Sequence, residues 1–91
     1  ATMAKLTISN TGNLEAFTNT KNTYEVLKNS IERGALNISI NFAPAFFPRS
    51  HNKYHFHVFL SCVSENNLRY FLKSQSLPDF VKIDINPSSL L

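Results

Sequence analysis

The sequence has little cysteine and glycine and no long apolar run, and each shortage excludes a class of protein. With one cysteine, Cys62, among 91 residues, the chain can form neither an internal disulfide nor a cysteine-based zinc site, and this composition suits a reducing compartment. Two glycines, Gly12 and Gly34, are too few for a glycine-rich phosphate-binding loop. No apolar run approaches the roughly 20 residues of a membrane-spanning helix, so we expect no membrane partner.

The composition that remains is that of one folded domain. Hydrophobic residues make up 43% of the chain, and its aromatic residues are eight Phe and three Tyr with no Trp, so phenylalanine must fill much of the core. The formal net charge is +3 with the basic residues dispersed along the chain. This charge permits an anionic partner but does not require one.

Four segments alternate apolar and polar residues, which is typical of strands with one buried face. They are residues 5–10, 36–42, 54–62 and 80–86. Residues 43–52, between the second and third of these, contain two prolines and are predicted to form a long loop.

Two segments carry apolar residues at helical spacing, 23–33 and 65–73. Asn22 and Ser64 directly precede them, and both side chains can accept a hydrogen bond from the first helical turn, so we predict them as N-caps. Residues 13–21 are ambiguous between a helical turn and a loop.

The order strand, helix, strand, strand, helix, strand predicts an α+β fold. Because every strand has one apolar face and each helix one apolar stripe, both helices should cover one side of an antiparallel sheet, as in a ferredoxin-like βαββαβ sandwich. The first and third strands would be central, with the second beside the third and the fourth beside the first. The opposite face of the sheet would carry Lys5, Thr7, Ser9, Asn37, Ser39, Asn41, His55, His57, Phe59, Lys82 and Asp84.

The candidate metal ligands are two histidines in the stretch KYHFHVFLS. His55 and His57 are two positions apart, so they point to the same side of the strand, roughly 7 Å apart along it. Two imidazoles suit a transition-metal ion but do not complete a site. On the neighbouring strand, Asn41 offers a carbonyl oxygen as a third ligand, whereas Asp84 lies two strands away. The alternative interpretation is a pair of solvated histidines with no metal.

The pattern HFHVFL resembles the metal-binding motif of the HUH endonucleases, the replication initiators (Rep proteins) of small single-stranded DNA viruses and plasmids. KLTISNTGN is similar to the first Rep motif, in which a strand runs into a polar turn. SENNLRYFLKSQSLPDFVKIDINP is similar to the stretch that follows the histidines in circovirus, nanovirus and geminivirus Reps. The resemblance covers most of the chain, and the histidine motif is its specific element.

This resemblance implies a viral or plasmid domain that binds origin or single-stranded DNA in the host nucleus or cytoplasm. When complete, such a domain nicks DNA for rolling-circle replication. His55 and His57 would bind a divalent ion, Mn or Mg, which polarises the scissile phosphate. A tyrosine on a following helix would attack the phosphorus and become linked to the 5′ end. Thr7, Ser9 and Asn10 would contact the DNA.

The chain departs from the Rep pattern at two places. Reps usually supply Glu or Gln as the third ligand, but here the matching strand offers only Asn and Ser. Their nucleophile lies in a Tyr-x-x-Lys motif after the last strand. Tyr70 to Lys73, YFLK, has this spacing but precedes the last strand, so Tyr70 is either a candidate nucleophile or an ordinary residue of an amphipathic helix. We therefore expect 1–91 to be one Rep-like domain that either ends before the catalytic helix or binds without nicking.

Phe59 and a small basic cluster are further candidates for DNA contact. Phe59 could stack on a base, unless a phenylalanine of the long loop covers it. Arg49, His51 and Lys53 could contact phosphates, or could simply be a solvated loop.

Two other functions remain open. One is a non-catalytic, RRM-like nucleic-acid-binding module that uses the sheet face without a metal. The other is a protein-interaction domain that uses the Phe-rich segment 43–48. Self-association is also compatible with the sequence.

Overall fold

The computed structural model of the chain describes residues 2–50 and 53–86, and of 43–50 it describes the backbone alone. The elements are β1 (Thr2–Asn10), α1 (Asn13–Arg33), β2 (Ile38–Ser50), β3 (Lys53–Cys62), α2 (Glu65–Ser74) and β4 (Val81–Ile85). The strands form one antiparallel sheet in the order β2-β3-β1-β4. The predicted ferredoxin-like sandwich and its strand order are confirmed. No helix in the described part of the chain is long and apolar enough to cross a membrane.

The core lies between the helices and one face of the two central strands. In β1, Ala4, Leu6 and Ile8 are fully buried, and each lies opposite a buried residue of β3. Burying the side chain of Leu6 or Ile8 contributes about 1.5–3 kcal/mol. The helices complete this cluster with Leu27, Ile31, Leu68, Phe71 and Leu72. Because this face of the sheet packs against the helices, the residues at alternating positions of β1 and β3 point to the opposite face.

Helix α1 is longer than the sequence predicts, and its predicted N-cap is wrong. The helix begins at Asn13, with Gly12 at the N-cap position and no side-chain cap bond. Asn22 is an exposed residue in its middle. In the turn before the helix, the Asn10 Oδ1 atom accepts a hydrogen bond from the Gly12 N–H at 3.0 Å. This side chain therefore shapes the turn that leads from β1 into the helix.

Buried threonines explain why the first half of α1 was ambiguous. Thr20 and Thr23 lie on the same face as Ala16 and Leu27 and are buried with them. Their hydroxyls donate to backbone carbonyls one turn earlier, at 2.7 and 2.8 Å. A threonine can be buried in a helix because this bond satisfies its hydroxyl. The apolar stripe thus continues through residues that a hydrophobicity pattern scores as polar.

The predicted loop at 43–52 is also wrong for most of its length, because β2 runs to Ser50 and β3 begins at Lys53. The register shifts between Pro44 and Arg49, where β2 is irregular. Proline is tolerated here because β2 is an edge strand with an interruption in its pairing. Residues 51 and 52 lie outside the described residues.

Helix α2 agrees with its prediction at the N-terminus and along its buried face. The Ser64 hydroxyl accepts a hydrogen bond from the Asn67 N–H at 3.3 Å, which confirms the N-cap. Leu68, Phe71 and Leu72 are buried, as the helical spacing predicts. The helix therefore packs its predicted stripe against the sheet.

Candidate functional site

The candidate site lies on the sheet face opposite the helices. Strand pairing places Thr7 of β1 beside His57 of β3, and Ser9 beside His55. Phe59, two residues further along β3, lies beside Lys5. The prediction that both histidines face away from the helices is confirmed, since the alternating β3 residues Phe56, Val58 and Leu60 form part of the buried core.

Each histidine makes a hydrogen bond to a hydroxyl group of β1. The Thr7 Oγ1 and His57 Nδ1 atoms are 3.1 Å apart, and the Ser9 Oγ and His55 Nδ1 atoms are 2.6 Å apart. A hydroxyl can either donate to Nδ1 or accept from it, so it supports both neutral tautomers of the imidazole. These bonds orient both rings, which is how second-shell groups position histidines that bind ligands.

The two histidines differ in their access to solvent. His57 is only 5% exposed, whereas His55 is half-buried. The ring of Phe59 packs edge-on against His57, with the ring centroids 5.6 Å apart. A ligand arriving from solvent therefore meets the ring of His55 first.

The described residues do not complete a metal centre. No three of their His, Cys, Asp and Glu side chains lie close enough together to hold an ion. On β2, the residue directly beside His57 is Ala43, and the predicted third ligand, Asn41, lies beside Phe59 with its side chain exposed. Asp84 pairs with Lys5 on the far side of β1. Among the described residues, His55 and His57 thus supply two imidazoles without a third ligand close enough to share an ion with them, and this donor set falls short of a divalent-ion site.

A cleft of about 520 Å³ opens on this face near the outer strand β4. The polar and basic residues that line it are Thr7, Ser9, Lys53, His55 and Lys82. Asp79 is the acidic residue among those that line it. The two lysines outnumber Asp79 by one charge, and with hydroxyl groups beside them this lining suits an anion such as a phosphate group. We refer to this feature as the basic cleft.

The basic cleft brings together three of the predicted DNA-contacting residues, Thr7, Ser9 and Lys53, with the predicted metal ligand His55. Lys82 was predicted to lie on this face but not to belong to a site. The signal that could have found it is the pairing of β4 with β1, which places Lys82 beside Thr7.

Two other predicted contact residues, Asn10 and Phe59, are not among the residues that line the cleft. Asn10 shapes the turn before α1. Phe59 lies beside Lys5 and contacts His57. The backbone of Arg49 pairs with Tyr54, but its side chain is outside the described part of the structure.

Tyr70, the candidate nucleophile, lies on the wrong side of the sheet for the histidines. It is 77% exposed on α2, and α2 packs on the face opposite His55 and His57. Its neighbours there include Cys62 and Phe71, which line a groove beside the helix. Tyr70 therefore cannot reach a phosphate bound in the basic cleft of the same chain.

Comparison with known proteins adds support for the fold. No protein-family model matches the chain, and no curated protein matches it. Among solved structures, the chain is similar to the crystal structure of the hypothetical protein ORF119 from Sulfolobus islandicus rod-shaped virus 1. The TM-score is 0.50 and the sequence identity 16%, over 98% of this chain and 71% of the viral one. At this identity the similarity concerns the fold alone.

Proposed function

We propose that the chain is a single-stranded DNA-binding domain of the HUH replication-initiator type, which acts in viral or plasmid replication inside the host cell. The observation that carries this proposal is the basic cleft, which Lys53, Lys82 and His55 line together with Thr7 and Ser9 on the helix-free face of the sheet. The resemblance of HFHVFL to the Rep histidine motif gives the proposal its family.

The cleft would hold a phosphate of the DNA backbone. The two lysines supply the charge that attracts the phosphate. Where the histidine Nδ1–H groups donate to Thr7 and Ser9, the hydroxyls of these residues can in turn donate hydrogen bonds to the phosphate oxygens. Phosphate contacts of this kind fix the position of a strand without reading its sequence. Phe59, on the same face, would then offer its ring to a neighbouring base.

DNA binding is better supported than DNA cleavage. Cleavage by the Rep mechanism needs a complete metal site and a tyrosine hydroxyl near the phosphate. Among the described residues, only His55 and His57 are candidate ligands for the metal site. The three tyrosines of the chain are Tyr24 in α1, Tyr70 in α2 and Tyr54, which alternates with the histidines along β3. We therefore assign this chain no chemical step.

Fluorescence anisotropy with a short labelled oligonucleotide tests the proposal. In a K53A/K82A variant, the plot of log affinity against log salt should become less steep by about 1.4, because each lost phosphate contact on a single strand contributes about 0.7. The matched control is K21A/K73A, which removes the same charge from exposed helix positions and should leave the slope unchanged. Equal effects of the two variants would mean that net charge, rather than the cleft, binds DNA.

A companion measurement separates the Rep type from an RRM-like module. In a domain of the Rep type, Mn²⁺ bound by His55 and His57 would broaden their ring signals before those of Tyr70, which lies across the sheet. If both histidines remain sharp while F59A abolishes DNA binding, the metal-free, stacking module is the correct assignment. Stacking on one aromatic ring is worth about 1–3 kcal/mol per base, so its loss is measurable.

A further inference from the structure

Strand β4 forms one edge of the sheet and carries alternating charges. The described sheet ends at β4, whose inner side pairs with β1. Lys82 and Asp84 point to the face of the histidines, and the intervening Ile83 points to the helix side, where it is 44% exposed. The DNA-binding proposal gives a role to Lys82 but none to Ile83 or Asp84.

The hydrogen-bonding phase of β4 determines which backbone groups the edge presents. The Asn86 N–H donates to the carbonyl oxygen of Met3 at 2.7 Å, so Asn86 directs its backbone groups toward β1. In an antiparallel ladder this orientation alternates from one residue to the next. Ile83 and Ile85, at odd spacing from Asn86, therefore direct their N–H and C=O groups outward, away from β1.

We propose that β4 pairs with β4 of a second copy of this chain, antiparallel and centred on Ile83. The sequence Val81–Ile85, VKIDI, is complementary to itself in this arrangement. Ile83 lies opposite its own counterpart, Val81 opposite Ile85, and Lys82 opposite Asp84, twice by the two-fold symmetry. Opposite charges that face each other directly across two strands stabilise the pair, and like charges destabilise it.

The backbone phase agrees with this register. Ile83 and Ile85 point outward, so the two strands can exchange about four hydrogen bonds centred on the two-fold axis. The Val81 N–H already donates to the Pro78 carbonyl oxygen at 3.1 Å. It therefore needs no acceptor on the partner strand. Registers centred on Lys82 or Asp84 would instead place like charges opposite each other.

The helix side of the edge offers an apolar surface to the partner. Ile83 and Ile85 line a groove of about 210 Å³ together with Leu72 of α2, and Arg69 and Lys73 flank it. The partner's Ile83 would pack beside this groove and remove apolar surface from water on both chains. Five paired residues on each side bury less than the roughly 1,200 Å² of a standard interface, so we expect a weak, concentration-dependent dimer.

Charges on edge strands often serve to prevent pairing, and charge reversal separates that role from the proposed one. A K82D chain carries two acidic side chains on β4, and a D84K chain carries two basic ones. Each alone should dimerise at least tenfold more weakly than the natural chain in sedimentation experiments. An equimolar mixture of the two should recover association, because each acidic side chain again faces a basic one.

A second variant tests the backbone contacts independently of charge. I83P removes an N–H that points away from β1, so it should leave the sheet of the single chain intact and abolish the dimer. Amide hydrogen exchange at Ile83 and Ile85 should slow as the concentration of the natural chain rises. Circular dichroism confirms that each variant is folded. A natural chain that stays monomeric at the highest concentration, a mixture that associates no better than its components, or an I83P dimer as stable as the natural one would each overturn the proposal.

Discussion

The hydrogen bond between Thr7 and His57 should contribute measurably to stability, because it lies in a nearly dry part of the sheet face. The Thr7 Oγ1 and His57 Nδ1 atoms are 3.1 Å apart, and His57 is 5% exposed. Thr7→Val keeps the shape of the side chain and removes the hydroxyl. Because little water can replace the lost partner, we expect the free energy of unfolding to fall by about 1–3 kcal/mol.

Ser9→Ala is the matched control, since it removes the equivalent hydroxyl from His55. His55 is half-buried and lines the basic cleft, so water can take the place of the Ser9 hydroxyl. We expect this variant to lose less than about 1 kcal/mol. Each variant loses a hydroxyl that bonds to the Nδ1 atom of a histidine. The comparison therefore tests the effect of burial on the value of this hydrogen bond.

Urea unfolding followed by circular dichroism measures these differences. Domains of this kind have unfolding free energies of about 5–15 kcal/mol, so a change of 1–3 kcal/mol is a large fraction. A loss of 1 kcal/mol also lowers Tm by about 4–8 °C in a domain of this size. The slope of the unfolding free energy against urea concentration should not change, because the variants expose nearly the same surface on unfolding as the natural chain.

A double-mutant cycle with His57→Phe completes the test. Phenylalanine replaces the imidazole with an apolar ring, so in this background Thr7→Val no longer removes a hydrogen bond. The loss caused by Thr7→Val should then shrink to a few tenths of a kcal/mol. An equal loss in both backgrounds, or equal effects of Thr7→Val and Ser9→Ala, would refute the argument that this buried bond holds the ring.

Two further predictions concern the helix layer. Leu68→Ala should lower the free energy of unfolding by about 2–5 kcal/mol, because Leu68 is fully buried in the core. The control is Leu14→Ala, at a position that is 71% exposed, which should change the free energy of unfolding by less than about 0.5 kcal/mol in the same urea assay. Glu65→Gln should reduce stability at neutral pH only. The hydrogen bond and the charge of Arg69 hold the pKa of Glu65 below its ordinary value of 4.5. The ion pair therefore stabilises the protein above that value, and this stabilisation disappears as the pH falls through the lowered pKa. The difference in Tm between the two proteins should therefore narrow on acidification, and a difference that widens would contradict the assignment.

The fold was predictable because strand alternation and element order carry most of the information. Leu6 and Ile8 alternate with polar residues, and this parity fixes which face of β1 meets the helices. The errors arose where a residue type has two uses. Thr20 is buried in α1 because its hydroxyl bonds to the backbone, and Pro44 lies in a strand because that strand is at an edge. Neither use can be read from hydrophobicity.

The candidate site was predictable only as a face of the sheet. The spacing of His55 and His57 places both on that face, but spacing says nothing about what lies beside each ring. The basic cleft also depends on Lys82, which comes from the far end of the chain and reaches Thr7 through strand pairing. The sequence predicts that the fourth strand lies beside the first, but the site becomes visible only once the register of this pairing places Lys82 beside Thr7.

The different surroundings of the two histidines also decide which function the face can support. His57 has Ala43 and Thr7 as direct neighbours on the adjacent strands, and Phe59 packs on its ring. His55 lies between Phe56, which pairs with Pro44, and Tyr54, which pairs with Arg49, where the register of β2 shifts. A metal ion shared by both rings would need access to the buried one. A phosphate needs only the half-buried His55 and the two lysines that line the same cleft, so this geometry suits an anion better than a metal ion shared by both rings.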